Sequence, residues 1–311
     1  MLSSTINRPL PLALSMGEPS GIGPEIILKS WHMRHKADLP SFFVVGSKDI
    51  FLKTAQKLGL DTTLQVITSP DETSMVFPDA LPIIDLGFTA DFDFGTASID
   101  TAPVVVKAIE KAVDLIFDHQ AMGLVTAPIQ KSSLYDAGFS YPGHTEYLAE
   151  LCHSKSGKFE TPVMMLVSGQ LRVIPLTIHM PLARVPQSIT ADLIENTCQK
   201  IHMALIQDFN LENPRITVAG LNPHAGENNA MGNEDTQIIR PAIDRLRDRG
   251  MNIDGPLPAD TLFHTAARNQ YDAALCMYHD QALIPVKTLD FDGGVNVTIG
   301  LPMVRTSPDH G

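Results

Sequence analysis

Short apolar runs rich in Val, Ile, Leu and Phe alternate along the chain with longer segments in which apolar residues return every three or four positions. The first pattern predicts strands and the second amphipathic helices, and their alternation is the signature of an α/β fold. Strands are expected over 10–16, 42–45, 83–86, 123–126, 163–167, 173–178, 216–219, 273–278 and 295–299. A helix is expected over 24–34, because Pro24 suits the first helical position, where its missing N–H costs nothing. Ser47 has the side chain to cap a second helix running to about 58. Over 103–119, Val105, Ile109, Val113 and Ile116 share one face opposite Lys107 and Glu110. The segments 191–208 and 235–249 follow the same logic. No repeat or polar linker divides the sequence, and the loop-like stretches 68–81 and 208–214 are the candidate boundaries. The whole chain, 1–311, is therefore expected to form two interwoven α/β domains with a cleft between them.

Composition narrows the function. The 311 residues are 44% hydrophobic and 19% charged, as in an ordinary globular chain. Lys and Arg number 23 against 35 Asp and Glu, a net charge of −12. Nucleic-acid binders usually carry a basic face, so no nucleic-acid partner is expected. A bound phosphate would have to be held by a few local cations and backbone N–H groups. No apolar run approaches the roughly 18 residues needed to cross a bilayer, so no membrane partner is expected. The segment 8–16 contains two prolines and runs straight into Gly17, and it reads as a first strand rather than a signal peptide. Cys152, Cys198 and Cys276 are far apart and form no CxxC pair, so neither a disulfide framework nor a cysteine zinc site is expected. A reducing cytoplasm is the simplest compartment.

Among 11 histidines, His32, His35, His119, His153 and His202 fall in predicted helices with polar neighbours, where solvated or packed imidazoles are ordinary. Three others share a different context. His179 ends the run 172–178, His224 follows the strand 216–219 within Leu221-Asn-Pro-His-Ala-Gly-Glu227, and His279 follows 273–278. Each stands at or just past the carboxyl end of an apolar strand, the edge at which open α/β sheets bind ligands. Three neutral imidazoles with one open position suit a divalent metal such as Zn²⁺. The alternative is three unrelated histidines bonded to backbone carbonyls, and placement alone leaves both readings open.

Two further features suit anions, with an ordinary capped helix start and plain surface cations as the alternative readings. Pro142-Gly-His-Thr-Glu146 precedes a helical run, with Thr145 a candidate cap and His144 at the positive helix end, where phosphate binds readily. Lys287, Asn296 and Arg305 bring cations and an amide near the histidine motifs, as a phosphorylated substrate requires. By contrast, the glycines of Met16-Gly-Glu-Pro-Ser-Gly-Ile-Gly-Pro-Glu25 match neither G-x-G-x-x-G nor the P-loop, and they read as a strand-to-helix turn. No Rossmann fingerprint occurs elsewhere.

At these motifs the sequence resembles the 4-hydroxythreonine-4-phosphate dehydrogenases of pyridoxal phosphate biosynthesis. The resemblance is carried by Met16–Glu25, Gly143-His-Thr-Glu146, His179-Met-Pro-Leu182, Asn222-Pro-His-Ala-Gly-Glu227, Pro258-Ala-Asp-Thr-Leu-Phe263, Tyr278-His-Asp-Gln281, Gly294-Val-Asn-Val-Thr298 and the closing run 301–311. It covers nearly the whole chain. It implies a fold similar to isocitrate and isopropylmalate dehydrogenases, with two α/β domains, a cleft and a homodimer. It also implies one divalent metal per site (Zn, Mg or Co) on His179, His224 and His279, with ligands from both subunits, so that each active site lies at the subunit interface. Substrate contacts are implied at His144, Thr145, Lys287, Asn296 and Arg305. The implied cofactor is NAD, with NADP as the alternative. In relatives the last motif continues into a loop and helix against the adenosine end of the cofactor. Here the sequence ends at His310 and Gly311, the positions assigned to the cofactor, and a chain truly lacking that tail is expected to bind NAD poorly.

The implied reaction is oxidation of the substrate C3 alcohol by NAD⁺ and loss of CO₂ from the β-keto acid, giving 3-amino-2-oxopropyl phosphate. Lys287 and Asp260 both remain candidates for the proton acceptor. Three rival functions stand beside this one: a dehydrogenase of D-threonate or D-erythronate 4-phosphate, a three-histidine metal hydrolase, and a non-catalytic binding protein.

Overall fold

The computed structural model describes residues 9–309 except Ala90, Ala97 and Pro142. The chain divides between Glu160 and Thr161, and again between Gly300 and Leu301, into two compact units. It builds most of the first unit, then all of the second, and returns to the first with its last strand. The division does not fall at 68–81 or 208–214. The former contains the short helical turns Pro70–Glu72 and Thr73–Val76, and the latter joins a helix to a strand within the second unit. Turn-forming residues mark a surface loop of a packed unit as readily as a linker.

The first unit contains strands β1 (Leu12–Ser15), β2 (Phe42–Gly46), β3 (Leu64–Val66), β4 (Leu81–Asp85), β5 (Leu124–Thr126) and the last strand of the chain, β12 (Arg305–Pro308). They lie in the order β3-β4-β2-β1-β5-β12, and every pair is parallel. Helices α1 (Gly23–Met33), α2 (Lys48–Leu58), α3 (Thr73–Val76) and α4 (Ala102–Phe117) supply the crossovers that parallel strands require, and α5 (Lys131–Asp136) and α6 (His144–Ser156) follow β5. The apolar stripe of α4 is buried through Val105, Ile109, Val113 and Ile116 in the core that also holds Leu14, Phe43 and Val44. Each such side chain contributes roughly 1.5–3 kcal/mol by leaving water. Ser47 caps α2 as expected, its hydroxyl accepting from the Ile50 N–H at 3.3 Å, and Gly59 closes the helix with φ +66°. Just after Pro9 and Pro11, Leu12–Ser15 form the interior strand β1.

The second unit contains β6 (Val163–Val167), β7 (Arg172–Pro175), β8 (Ile216–Ala219), β9 (Ile253–Leu257), β10 (Ala273–Cys276) and β11 (Val295–Ile299), in the order β11-β6-β7-β10-β8-β9. β6 runs antiparallel to both its neighbours, whereas β7, β10, β8 and β9 are parallel. Helices α7 (Val185–Ser188), α8 (Ala191–Gln207), α9 (Arg240–Asp248), α10 (Thr265–Arg268) and α11 (His279–Leu289) complete it. Successive strand residues face opposite ways. Ile174, Val218 and Leu275 accordingly join Ile194, Ile201 and Ile243 in one core, while Val173, Ala219 and Ala274 join Leu283 and Val286 in another. Both faces of the sheet are covered, and the functional edge is where strands end.

The expected strands 163–167, 216–219 and 295–299 have the expected bounds. Those expected over 173–178 and 273–278 stop at Pro175 and Cys276. β3, β9 and β12 were not anticipated: the first is three residues with two exposed, the second carries Gly255 and Pro256, and the third is polar. β3 and β9 are the end strands of the sheet order, where no continuous apolar run is needed. The helix expected over 235–249 opens as a π-turn, Asp235–Ile239, before α9.

Candidate active site

The three singled-out histidines all belong to the second unit and follow neighbouring parallel strands. His179 lies beyond β7, His279 opens α11 after β10, and His224 lies in the turn after β8. The rings of His179 and His279 are 5.9 Å apart between centroids. His279 Nδ1 contacts the Asp280 carboxylate at 2.8 Å, which fixes the ring through that nitrogen. Two imidazoles, one backed by a carboxylate, suit a divalent metal by donor type. Among the described residues, no three of His, Cys, Asp or Glu in one chain stand close enough together to hold an ion, and His224 is not grouped with the other two.

Backbone conformation explains where these rings stand. His179 has φ +49° and His224 φ +54°, both in the left-handed region. After His224 the left-handed conformation continues through Ala225, Gly226, Glu227, Asn228 and Asn229. That conformation costs an L-residue other than glycine roughly 1–2 kcal/mol, so the loop has to be held from outside. Asp235, fully buried, does this: its Oδ1 accepts from Leu221 N at 2.8 Å and its Oδ2 from Asn222 N at 3.1 Å and Asn222 Nδ2 at 2.9 Å. Gly220 makes room for the turn, since a Cβ there would lie 2.8 Å from Asp235 Oδ1.

Of the remaining candidates in this unit, Asn296 sits on β11 with its Oδ1 buried and unbonded. Lys287 lies in the last turn of α11, its ammonium 5.7 Å from the centre of the Phe291 ring. Asp260 is exposed on the short turn Ala259–Thr261.

The first unit brings together His144 and Arg305. His144 is the first residue of α6. Thr145 is not its cap. Gly143 occupies the cap position in extended conformation, and Thr145 is already helical. Arg305 opens β12 and is 4% exposed, with Nε and Nη2 donating to Thr126 Oγ1 at 3.1 and 2.7 Å. Burial pushes the arginine down to about 10. Burial first, and the Arg305 cation second, push His144 down to about 3, so its imidazole is neutral at pH 7. Its Nε2 is shut off from solvent and has no hydrogen-bond partner. A buried guanidinium, a neutral imidazole and the N–H groups of a helix start offer charge and donors to an anionic group. Arg305 therefore groups with His144 in the first unit, while Lys287 and Asn296 belong to the second.

The glycine-rich segment 16–25 is the strand-to-helix turn between β1 and α1. Gly17 has φ +72°, and a Cβ there would lie 2.6 Å from Pro128 O. Glu18 is buried and accepts from the hydroxyls of Ser20, Thr101 and Ser133 at 3.0, 3.1 and 3.4 Å. Its carboxylate thus fixes the turn internally.

The sequence profile of the pyridoxal phosphate biosynthetic protein PdxA matches residues 38–311. The chain belongs to the PdxA family. A 4-hydroxythreonine-4-phosphate dehydrogenase from Caulobacter vibrioides is 49% identical over 302 residues, which cover 97% of this chain and 89% of that protein. Crystal structures of PdxA-family proteins agree in fold. The 4-hydroxythreonine-4-phosphate dehydrogenase from Burkholderia phymatum superposes with TM-score 0.87 at 36% identity, covering 98% of this chain and 91% of that one. That from Klebsiella pneumoniae gives 0.88 at 34%, covering 97% and 91%.

For a chain of the PdxA family, the sequence pattern singles out the three histidines as candidates but not the residues that hold their turns. Thr126, the partner of Arg305, is the last residue of an expected strand, and that position was its one available signal. Asp280 adjoins His279 and its role depended on ring orientation. The cofactor positions His310 and Gly311 lie outside the described residues.

Proposed function

We propose that this chain is an NAD- and divalent-metal-dependent 4-hydroxythreonine-4-phosphate dehydrogenase, oxidising C3 of 4-phosphohydroxy-L-threonine and releasing CO₂ to form 3-amino-2-oxopropyl phosphate. The observation that carries this reading is the set of three histidines at the carboxyl ends of neighbouring parallel strands, with the His179 and His279 rings 5.9 Å apart. The donor types fit a metal, with ligands drawn from both subunits of the homodimer that the resemblance implies. His179, His224 and His279 would hold the metal, which would supply Lewis-acid chemistry at the substrate hydroxyl and ketone oxygen, and NAD⁺ would supply the hydride acceptor.

The chain's own residues bind and orient. Arg305, braced by Thr126, offers its charge to the substrate phosphate together with the start of α6. His144, neutral at pH 7, donates or accepts without adding a second charge. Thr145, Lys287 and Asn296 complete the substrate contacts, and the buried, unbonded Oδ1 of Asn296 is an acceptor for a substrate hydroxyl or ammonium. Holding C3 in place removes the entropy of a bimolecular encounter from the barrier. The proton passes to Lys287 or Asp260. Replacing each in turn by Met or Asn separates them, because loss of the acceptor lowers kcat with metal binding intact. No described helix is long and apolar enough to cross a membrane.

The test is NADH formation from 4-phosphohydroxy-L-threonine by the purified chain, first with EDTA and then with Zn²⁺, Mg²⁺ or Co²⁺ restored. Metal-dependent NADH supports the reading. NADH formed equally in EDTA, or formed only with D-threonate or D-erythronate 4-phosphate, overturns it.

A further inference from the structure

We propose that Gln281 is a positioning residue for the metal site, its carboxamide bridging the backbone turns that carry His224 and His279. The proposal rests on the metal reading given above. Gln281 is half-buried in the first turn of α11, two residues past His279. Its Nε2 donates to Gly220 O at 2.8 Å, and its Oε1 accepts from Met277 N at 2.7 Å. The two partners fix which end of the amide is which, since one can only accept and the other only donate. Both lie just past regular strand, where a main-chain N–H or C=O left without a partner would cost as much as a lost hydrogen bond.

The bridge is the middle of a longer chain of bonds. Thr177, buried, donates its hydroxyl to Met277 O at 2.8 Å, two residues before His179. Asp235 holds Leu221 and Asn222 on the far side of Gly220. The hydrogen bonds thus run from the β7 end, through the β10 end and Gln281, to the β8 end. Every histidine-bearing turn is tied to the next. Local preference does not hold these turns, because His179 and the residues from His224 onward are left-handed. Only glutamine meets both ends of this bridge. Glutamate would keep the acceptor for Met277 N and set a second oxygen against the Gly220 carbonyl.

The experiment titrates the metal-stripped full chain with Co²⁺, following its visible ligand-field absorption, for the wild type, Gln281→Glu, Gln281→Met and His279→Ala. Outer partners of metal ligands typically govern affinity by about 10–100-fold. We expect that loss in both Gln281 variants, abolished binding in His279→Ala, and kcat of the Gln281 variants recovering toward wild type as Co²⁺ is raised. A merely structural residue would not show rescue by metal. If His279→Ala loses Co²⁺ while both Gln281 variants bind as the wild type does, the positioning role is refuted and the metal reading stands. If His279→Ala still binds Co²⁺ normally, the metal reading falls and this inference with it. Should Gln281→Met fail to fold, the isosteric Gln281→Glu decides. If neither folds, Gln281 is a determinant of the fold rather than of the site, and the proposal is overturned.

Discussion

Replacing Asp235 by asparagine isolates what holds the loop of His224. The carboxylate is fully buried and receives three donors: Leu221 N at 2.8 Å, Asn222 N at 3.1 Å and Asn222 Nδ2 at 2.9 Å. Asparagine has one acceptor oxygen. Turned toward Asn222, it keeps two of the bonds and sets its NH₂ against the Leu221 N–H. The change removes one charge-assisted bond and leaves two buried donors facing each other, a cost of about 2–3 kcal/mol. Relaxation is limited on that side, since the Cβ position of Gly220 already lies 2.8 Å from Asp235 Oδ1. At ~1.4 kcal/mol per decade, the loop should open about 30- to 150-fold more often. Amide hydrogen exchange reads this directly: Leu221 and Asn222 should exchange faster by that factor, while Leu14 and Val44 in the other unit stay unchanged. Exchange at 221 and 222 within about threefold of wild type would refute the reasoning, as would an equal rise across the whole chain.

Other consequences are open to simpler measurements. His144 has a folded value of about 3 against an ordinary 6.5, so the folded chain binds fewer protons between those values. Its contribution is therefore complete above pH 6.5 and is lost as pH falls toward 3, at up to ~1.4 kcal/mol per pH unit; urea midpoints should fall more steeply with acid in the wild type than in His144→Gln. Arg305→Gln should raise KM for the phosphorylated substrate by about 10- to 150-fold, the loss of a charge-assisted contact worth about 1.5–3 kcal/mol, and leave Co²⁺ affinity unchanged. A changed Co²⁺ affinity would show that the anion and metal sites are not independent. Gly17→Ala meets Pro128 O at 2.6 Å as well as a positive φ, whereas Gly59→Ala meets a positive φ in open space. The first should lower stability by about 1–3 kcal/mol more than the second, and equal melting temperatures would contradict the packing argument.

Much of the scaffold was legible in the residues themselves. The alternation of apolar runs and helical periods placed strands at 163–167, 216–219 and 295–299, and Ser47 announced the start of α2. These features act over a few residues, through side-chain alternation and capping, so they survive in one dimension. The histidines at strand ends were visible for the same reason. The PdxA motifs were recognisable because they are runs of adjacent residues.

Tertiary structure decided the rest. β3, β9 and β12 are strands because a neighbour offers them a ladder, and neither Gly255-Pro256 nor Arg305-Thr-Ser-Pro308 declares it alone. Arg305 is buried against Thr126, 179 residues away in sequence, and its effect on His144 follows only from that burial. Whether His224 joins His179 and His279 depends on a left-handed loop pinned by Asp235, and Gln281 became a bridge only once β8 and β10 lay side by side. Periodicity and caps are local properties of the chain. Hydrogen-bond partners far apart along it, and the burial that shifts a proton, exist only after folding has brought those partners together.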